Sequence, residues 1–284
     1  MTVNKLKGFP PKVFIIGAQK AGTTQLCALL DQHPEICLSS PKEPDFFTRH
    51  FDKGLDWYKQ CFSSLDEILI DASTSYTSRP LPEINENDKV NGENPLVGVP
   101  ERMHQCSPDA KLIYIVRDPV KRAYSGYWHQ VTAGYENKPL CDAIESDSSY
   151  RRISKYAEQL QFYLEFYDPK NILILEFEEL IKNPESTLSK CFEFINLTSI
   201  EQIETGIHKN KSFQLTGFLG FINQHVFKVK PVLKLIRKVV PNFIVEVAQK
   251  LLTKSVPKIN AQETKQLRTL FEQEVDKVKQ LIKQ

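Results

Sequence analysis

The chain has 284 residues, 41% hydrophobic and 25% charged, with 37 Lys+Arg against 35 Asp+Glu and a net charge of +2. That composition excludes disorder as the main state and supports a core without disulfides or metals. The near-balanced charge does not mark a nucleic-acid binder. No apolar run approaches the ~20 residues that span a bilayer, and the opening stretch lacks the apolar segment of a secretory signal. Six cysteines, with no Cys-x-x-Cys pair and no His cluster, read as free thiols in a reducing cytosol rather than as disulfides or a zinc site. No metal is expected.

In chain order, residues 13–17 (Val-Phe-Ile-Ile-Gly) form a continuous apolar run that reads as a buried strand. Residues 21–32 read as a helix with Leu26, Leu29 and Leu30 on one face. Further strands are expected at 67–71, 111–116 and 171–176. Helices are expected from Pro119, where proline suits the first turn, and at 156–167 and 184–195. Strands alternating with helices predict an α/β fold, a parallel sheet flanked by helices. After Gly220 the texture turns helical with no convincing strand, punctuated by Pro231, Pro241 and Pro257. One domain over 1–284 is expected, with an α/β core at about 12–215 and a helical portion at about 216–284.

The segment Gly17-Ala-Gln-Lys20-Ala21-Gly22-Thr23-Thr24 joins the first strand to the first helix. Its glycines let backbone N–H groups approach an anion, the helix N-terminus adds positive potential, and the threonine hydroxyls can donate to the same oxygens. The segment therefore reads as a P-loop-like site for phosphate or sulfate. A Walker A loop places its lysine after the last glycine, where this chain has Thr23; its lysine is Lys20, inside the loop. That shift weighs against an ATP-using kinase. A second anchor, Val116-Arg117-Asp118-Pro119 through Ser125, also follows a strand and enters a helix. Arg117 can grip a phosphate bidentately and Ser125 can donate one hydrogen bond; an Arg117–Asp118 surface pair and a solvated Ser125 would account for these residues equally well.

These segments, together with Pro41-Lys-Glu-Pro-Asp-Phe-Phe47, Tyr156-Ala-Glu-Gln-Leu160 and Ile172-Leu-Ile-Leu-Glu-Phe-Glu-Glu-Leu180, resemble the sulfotransferases that use 3′-phosphoadenosine 5′-phosphosulfate (PAPS). The resemblance is to the branch of heparan sulfate sulfotransferases and bacterial tailoring relatives, and covers roughly residues 12–215. It implies a 5′-phosphosulfate loop carried by Lys20, Ala21, Gly22, Thr23, Thr24 and Gln25. It implies a 3′-phosphate site at Arg117 and Ser125, and a late loop over the cofactor at Lys211 and Ser212. The family often has a lysine where this chain has Ala72, which leaves Lys20 as the main cation.

Sulfuryl transfer resembles phosphoryl transfer in relying on positioning and electrostatics. Lys20 would stabilise charge on the bridging oxygen as PAP leaves, while backbone N–H groups of 21–24 hold the 5′-phosphate. The acceptor's proton needs a base. Glu43 is the first candidate, in a loop fixed by Pro41 and Pro44, where burial near anions would raise its proton affinity. His129 is the second, one helical turn beyond Ser125 on the same face. Lys42 reads as a helper or as simply exposed, and Tyr76 and Trp128 as cleft walls or core.

The acceptor is expected to be a small metabolite bearing a hydroxyl or an amine, as in secondary metabolism. The acidic stretch 82–94, with Glu83, Glu86, Asp88 and Glu93 against Lys89, suits a neutral or cationic partner better than a polyanion. Alternatives are a saccharide sulfotransferase with the same chemistry, a P-loop kinase, and a non-catalytic PAP binder. Residues 225–254 carry seven Lys/Arg against Glu246. That stretch reads as packing onto the domain rather than peripheral membrane contact, because Pro231 and Pro241 break any long surface helix.

Overall fold

The computed structural model describes residues 4–81, 94–200, 203–204, 213–215 and 253–282. They fall into two units, Met1–Pro119 with Arg151–Lys209 and Gln273–Gln284, and Val120–Tyr150 with Asn210–Glu272.

The first unit is built on a five-stranded, all-parallel sheet: β1 (Val13–Gly17), β2 (Ile36–Leu38), β3 (Ile68–Asp71), β4 (Lys111–Val116) and β5 (Ile172–Glu176), in the order β2-β3-β1-β4-β5. All five residues of β1 are buried, as expected of a strand covered on both faces. The helices of this unit are α1 (Thr23–Leu30), α2 (Phe46–Arg49), α3 (Gly54–Lys59) and α4 (Val99–Cys106), then α8 (Tyr156–Leu164), α9 (Phe177–Lys182) and α10 (Pro184–Phe194). The leucines expected on the inner face of α1 are fully buried. β2 was not expected; three residues are too few to show a period. The chain crosses from β3, on one side of β1, to β4 on the other, so β1 marks the topological switch, and a crevice outside the strand C-termini at such a point is where open α/β sheets bind ligands.

The end of the chain contributes α12 (Glu272–Ile282), whose residues from Gln273 onward belong to the first unit. Its Glu274 side chain is 3% exposed and lies 3.0 Å from Lys155 Nζ and 3.3 Å from Lys277 Nζ, while Lys277 reaches Glu158 on α8 at 2.5 Å. A carboxylate withdrawn this far from water needs such partners.

The second unit holds most of α5 (Pro119–Ala133), then α6 (Leu140–Ser146), the start of α7 (Ser148–Arg152) and α11 (Ala261–Leu270). Val120, Ala123, Leu140, Ala143, Ile144, Tyr150, Leu267 and Phe271 make its apolar core. The buried Arg122 guanidinium donates to the Tyr150 carbonyl, and α11 opens with a capping box between Asn260 and Glu263. The sequence offered no strand beyond Gly220, yet β7 (Thr253–Ser255) lies there and pairs antiparallel with β6 (Phe213–Leu215). The pairing joins residues far apart in sequence, so no local pattern announces it. Most of the basic stretch 225–254 and nearly all of the acidic stretch 82–94 lie outside the described residues. Among the described residues no helix is long and apolar enough to cross a membrane, and all six cysteines are unpaired thiols.

Candidate active site

The loop after β1 enters α1 through Gly22, whose φ of +95° is open to glycine and strained for other residues. A Cβ there would lie 2.7 Å from Phe177 Cδ2, so the backbone sits directly against that ring. Lys20 adopts φ +69°, a left-handed conformation uncommon for a non-glycine residue and held where surrounding structure enforces it. The Gln25 and Leu26 amides return to the Gly22 carbonyl. Glycine brings no side chain to cap the helix start, which leaves that end to backbone N–H groups, as at an anion site. The amide of Ala21 is turned inward, onto the Ala18 carbonyl at 3.1 Å. Ala21 therefore does not offer the N–H expected of it, and Gly22, Thr23 and Thr24 remain as the loop's expected amides.

Arg117 follows β4, beside β1 in the sheet. Its Nη1 donates to the Lys20 carbonyl at 3.1 Å, and its guanidinium lies 4.3 Å from the Phe177 ring centroid. Burial pulls its pKa below the usual arginine range. Its Nε is buried with no hydrogen-bond partner among the described residues. A buried guanidinium with an unmet donor is costly on its own, and a phosphate oxygen is the acceptor it suits.

The third part of the site is the loop before α2. Lys42 Nζ lies 2.8 Å from Glu43 Oε1 and 3.3 Å from Thr23 Oγ1, and the Thr74 hydroxyl donates to Glu43 Oε2 at 3.1 Å. The Glu43 side chain is 38% exposed, so the burial expected of it is partial. A carboxylate is thereby held one lysine side chain away from the anion loop.

This loop is anchored from below by Asp71, the fully buried last residue of β3. Asp71 Oδ2 accepts from the hydroxyls of Tyr58 at 2.7 Å and Tyr76 at 2.6 Å. Its Oδ1 accepts from the Ser73 amide at 2.9 Å and the Ser73 hydroxyl at 2.7 Å. Ser73 Oγ in turn accepts from the Asp45 amide at 2.9 Å, and Ser75 donates to Asp45 Oδ1 at 2.6 Å. Burial pushes the Asp71 pKa up to about 6 against the opposing pull of those four hydrogen bonds. Tyr76, expected as a cleft wall or core, is 2% exposed with its hydroxyl committed to Asp71, and so belongs to the core.

Of the remaining expected residues, Ser125, Trp128 and His129 lie on α5 in the second unit, with Ser125 and His129 one turn apart. Ser125 is half-buried and His129 exposed, while Trp128 packs edge-on against Tyr124 and Tyr127. Lys211 and Ser212 lie outside the described residues. Phe177 and Thr74 were missed by the sequence reading, and neither carries a local signal for its place.

The sulfotransferase domain family matches residues 10–225 of this chain. A bifunctional heparan sulfate N-deacetylase/N-sulfotransferase of Drosophila melanogaster is 32% identical over 212 residues, 66% of this chain and 20% of that protein. The human heparan sulfate glucosamine 3-O-sulfotransferase 3B1 is 32% identical over 205 residues, 67% of this chain and 47% of that protein. The chain thus spans from about a fifth to about half the length of these curated relatives. The crystal structure of a sulfotransferase from Alicyclobacillus acidocaldarius aligns with a TM-score of 0.55 at 25% identity, covering 70% of this chain and 86% of that one.

Proposed function

The chain belongs to the sulfotransferase domain family, and from that premise we propose that it moves a sulfuryl group from PAPS to a hydroxyl or amine of an acceptor, releasing PAP. The observation that carries the reading is the pairing of Lys42 with both Glu43 and Thr23, which sets a carboxylate beside an anion loop. The residues fit the nucleotide: Gly22, Thr23 and Thr24 face its 5′ end, and Arg117, with its unmet Nε, suits its 3′-phosphate. When bound, PAPS supplies a sulfur whose bond to the bridging oxygen breaks with the electron pair leaving on PAP.

In this reading Glu43 takes the proton from the acceptor O–H or N–H as that atom bonds to sulfur. Lys20 neutralises charge developing on the departing oxygen. Ser125 is read as a hydrogen-bond donor to a phosphate, and Trp128 and His129 as acceptor residues. No metal takes part. The acceptor is a small metabolite, and the six unpaired thiols support a cytosolic setting. A saccharide acceptor is the second reading, favoured by the heparan sulfate names of the relatives.

Calorimetric titration of the protein with PAP, and separately with ATP–Mg²⁺, tests the nucleotide. Preference for PAP without Mg²⁺ supports the proposal; preference for ATP–Mg²⁺ replaces it with a kinase. Radiolabelled PAPS offered with small amines, alcohols and amino-sugar oligosaccharides then sorts the acceptors.

A further inference from the structure

We propose that Lys42 is a positioning residue that couples Glu43 to the anion loop, so that one ammonium group both holds the carboxylate and sets the Thr23 hydroxyl for the incoming sulfuryl group. The inference rests on the reading of this site as a PAPS site with Glu43 as its base.

The two partners of Lys42 Nζ stand on different elements. Glu43 Oε1, at 2.8 Å, belongs to the loop before α2, and Thr23 Oγ1, at 3.3 Å, to the first residue of α1. An ammonium group has three protons and no acceptor, so it can serve both at once. The backbone at Lys42 is tied down as well: its carbonyl accepts from the Ser39 hydroxyl at 3.0 Å and from the Ala72 amide at 3.4 Å. The Lys42 side chain is 26% exposed, so the pair is partly withdrawn from solvent and less screened than a surface ion pair.

Two chemical consequences follow. Because Thr23 Oγ accepts a hydrogen bond from Lys42, its own O–H is left to donate, and an anion in the loop is the partner it meets. Because Lys42 cancels the charge of Glu43, an anion can approach a carboxylate that would otherwise repel it. With Thr74 donating to Oε2, both oxygens of Glu43 are held. A side chain read from sequence as a helper or as merely exposed thus supplies the cation on the base side of the loop, where position 72 holds a buried alanine.

The test compares binding of PAP, which lacks the sulfuryl group, with binding of PAPS, by competition titration before PAPS decays. K42M is expected to weaken PAPS about tenfold more than PAP, and K42R to restore most of the loss. E43Q leaves Lys42 uncompensated and should tighten PAPS severalfold; K42M/E43Q should show no such gain. Equal losses of PAP and PAPS in K42M, or an E43Q effect that is the same with and without Lys42, would overturn the coupling. Turnover is a separate readout: activity retained in E43Q overturns the base, whereas additive binding effects overturn the coupling. A wild-type protein that binds neither nucleotide overturns both.

Discussion

Arg117 holds the Lys20 carbonyl at 3.1 Å, so the residue suited to a 3′-phosphate also braces the strained lysine of the anion loop. Removing it should cost more than one phosphate contact. Arg117→Ala is expected to weaken PAP about 100-fold, the scale of losing a charge-assisted bidentate grip. Arg117→Lys should recover only part, because an ammonium lacks the planar fork that lies over Phe177 while reaching Lys20. Calorimetry with PAP checks both; equal affinities for the lysine variant and the wild type would remove the bracing role.

Glu43 and His129 make opposite predictions as the base. If Glu43 takes the proton, Glu43→Gln lowers kcat by about 10²- to 10⁴-fold, while His129→Asn changes the acceptor KM and leaves kcat within a few-fold. Steady-state rates of PAP release with any active acceptor separate the two, and the reverse pattern would move the base to α5.

Lys20→Ala should lower turnover by about 10²- to 10³-fold, the range for losing one preorganised donor at developing charge. PAP keeps the departed oxygen as part of its 5′-phosphate, so PAP binding should fall as well, but by less than turnover because the loop amides share that charge. Retained turnover would reject its assignment.

Asp71 gives the protein a pH signature. Its native pKa, raised to about 6 from an ordinary 3.8, means that the unfolded chain releases this proton first as pH rises. Stability from this group is therefore greatest below pH 4, falls by about 3 kcal/mol between pH 4 and 6, and is flat above. Urea unfolding of the wild type and Asp71→Asn across pH 4 to 7 reads this term as their difference. Parallel profiles for the two proteins would refute it.

Gly22→Ala should weaken both fold and loop. A left-handed alanine costs about 1–2 kcal/mol, and its Cβ would press on the Phe177 ring. The midpoint of thermal unfolding should fall by several degrees and PAP affinity by about tenfold, with Phe177→Leu in the same protein returning part of the loss. An unchanged midpoint would show that the loop backbone can shift at no cost.

Much of this was legible in the sequence, for physical reasons that vary along the chain. Residues 13–17 and 112–116 are buried throughout, and a strand covered on both faces must be apolar along its length. Gly22 and Lys20 announce themselves because a helix entered from a glycine loop is a local pattern. What was hidden depends on partners distant in sequence. Tyr76 reads as a wall until Asp71 and Tyr58 are seen to share its hydroxyl. Lys42 and Glu43 are adjacent charges in a proline loop, and nothing local says that Thr23 lies across from them. Ala21 has the expected position, yet its amide direction is set by the turn to Ala18, which sequence does not reveal.

The antiparallel ladder of Phe213–Leu215 with Thr253–Ser255 has a consequence for how this chain can vary. Leu215 and Thr253 are paired residues, so the two points where the chain leaves and re-enters this ladder lie about 5 Å apart. Whatever runs from 216 to 252 is spliced in at a single doorway. Replacing the stretch leaves both ends of the ladder in place to be joined. Swapping it between relatives, while the loop around Lys20 and the β1-β4 strands stay as they are, is a direct way to ask what the stretch contributes.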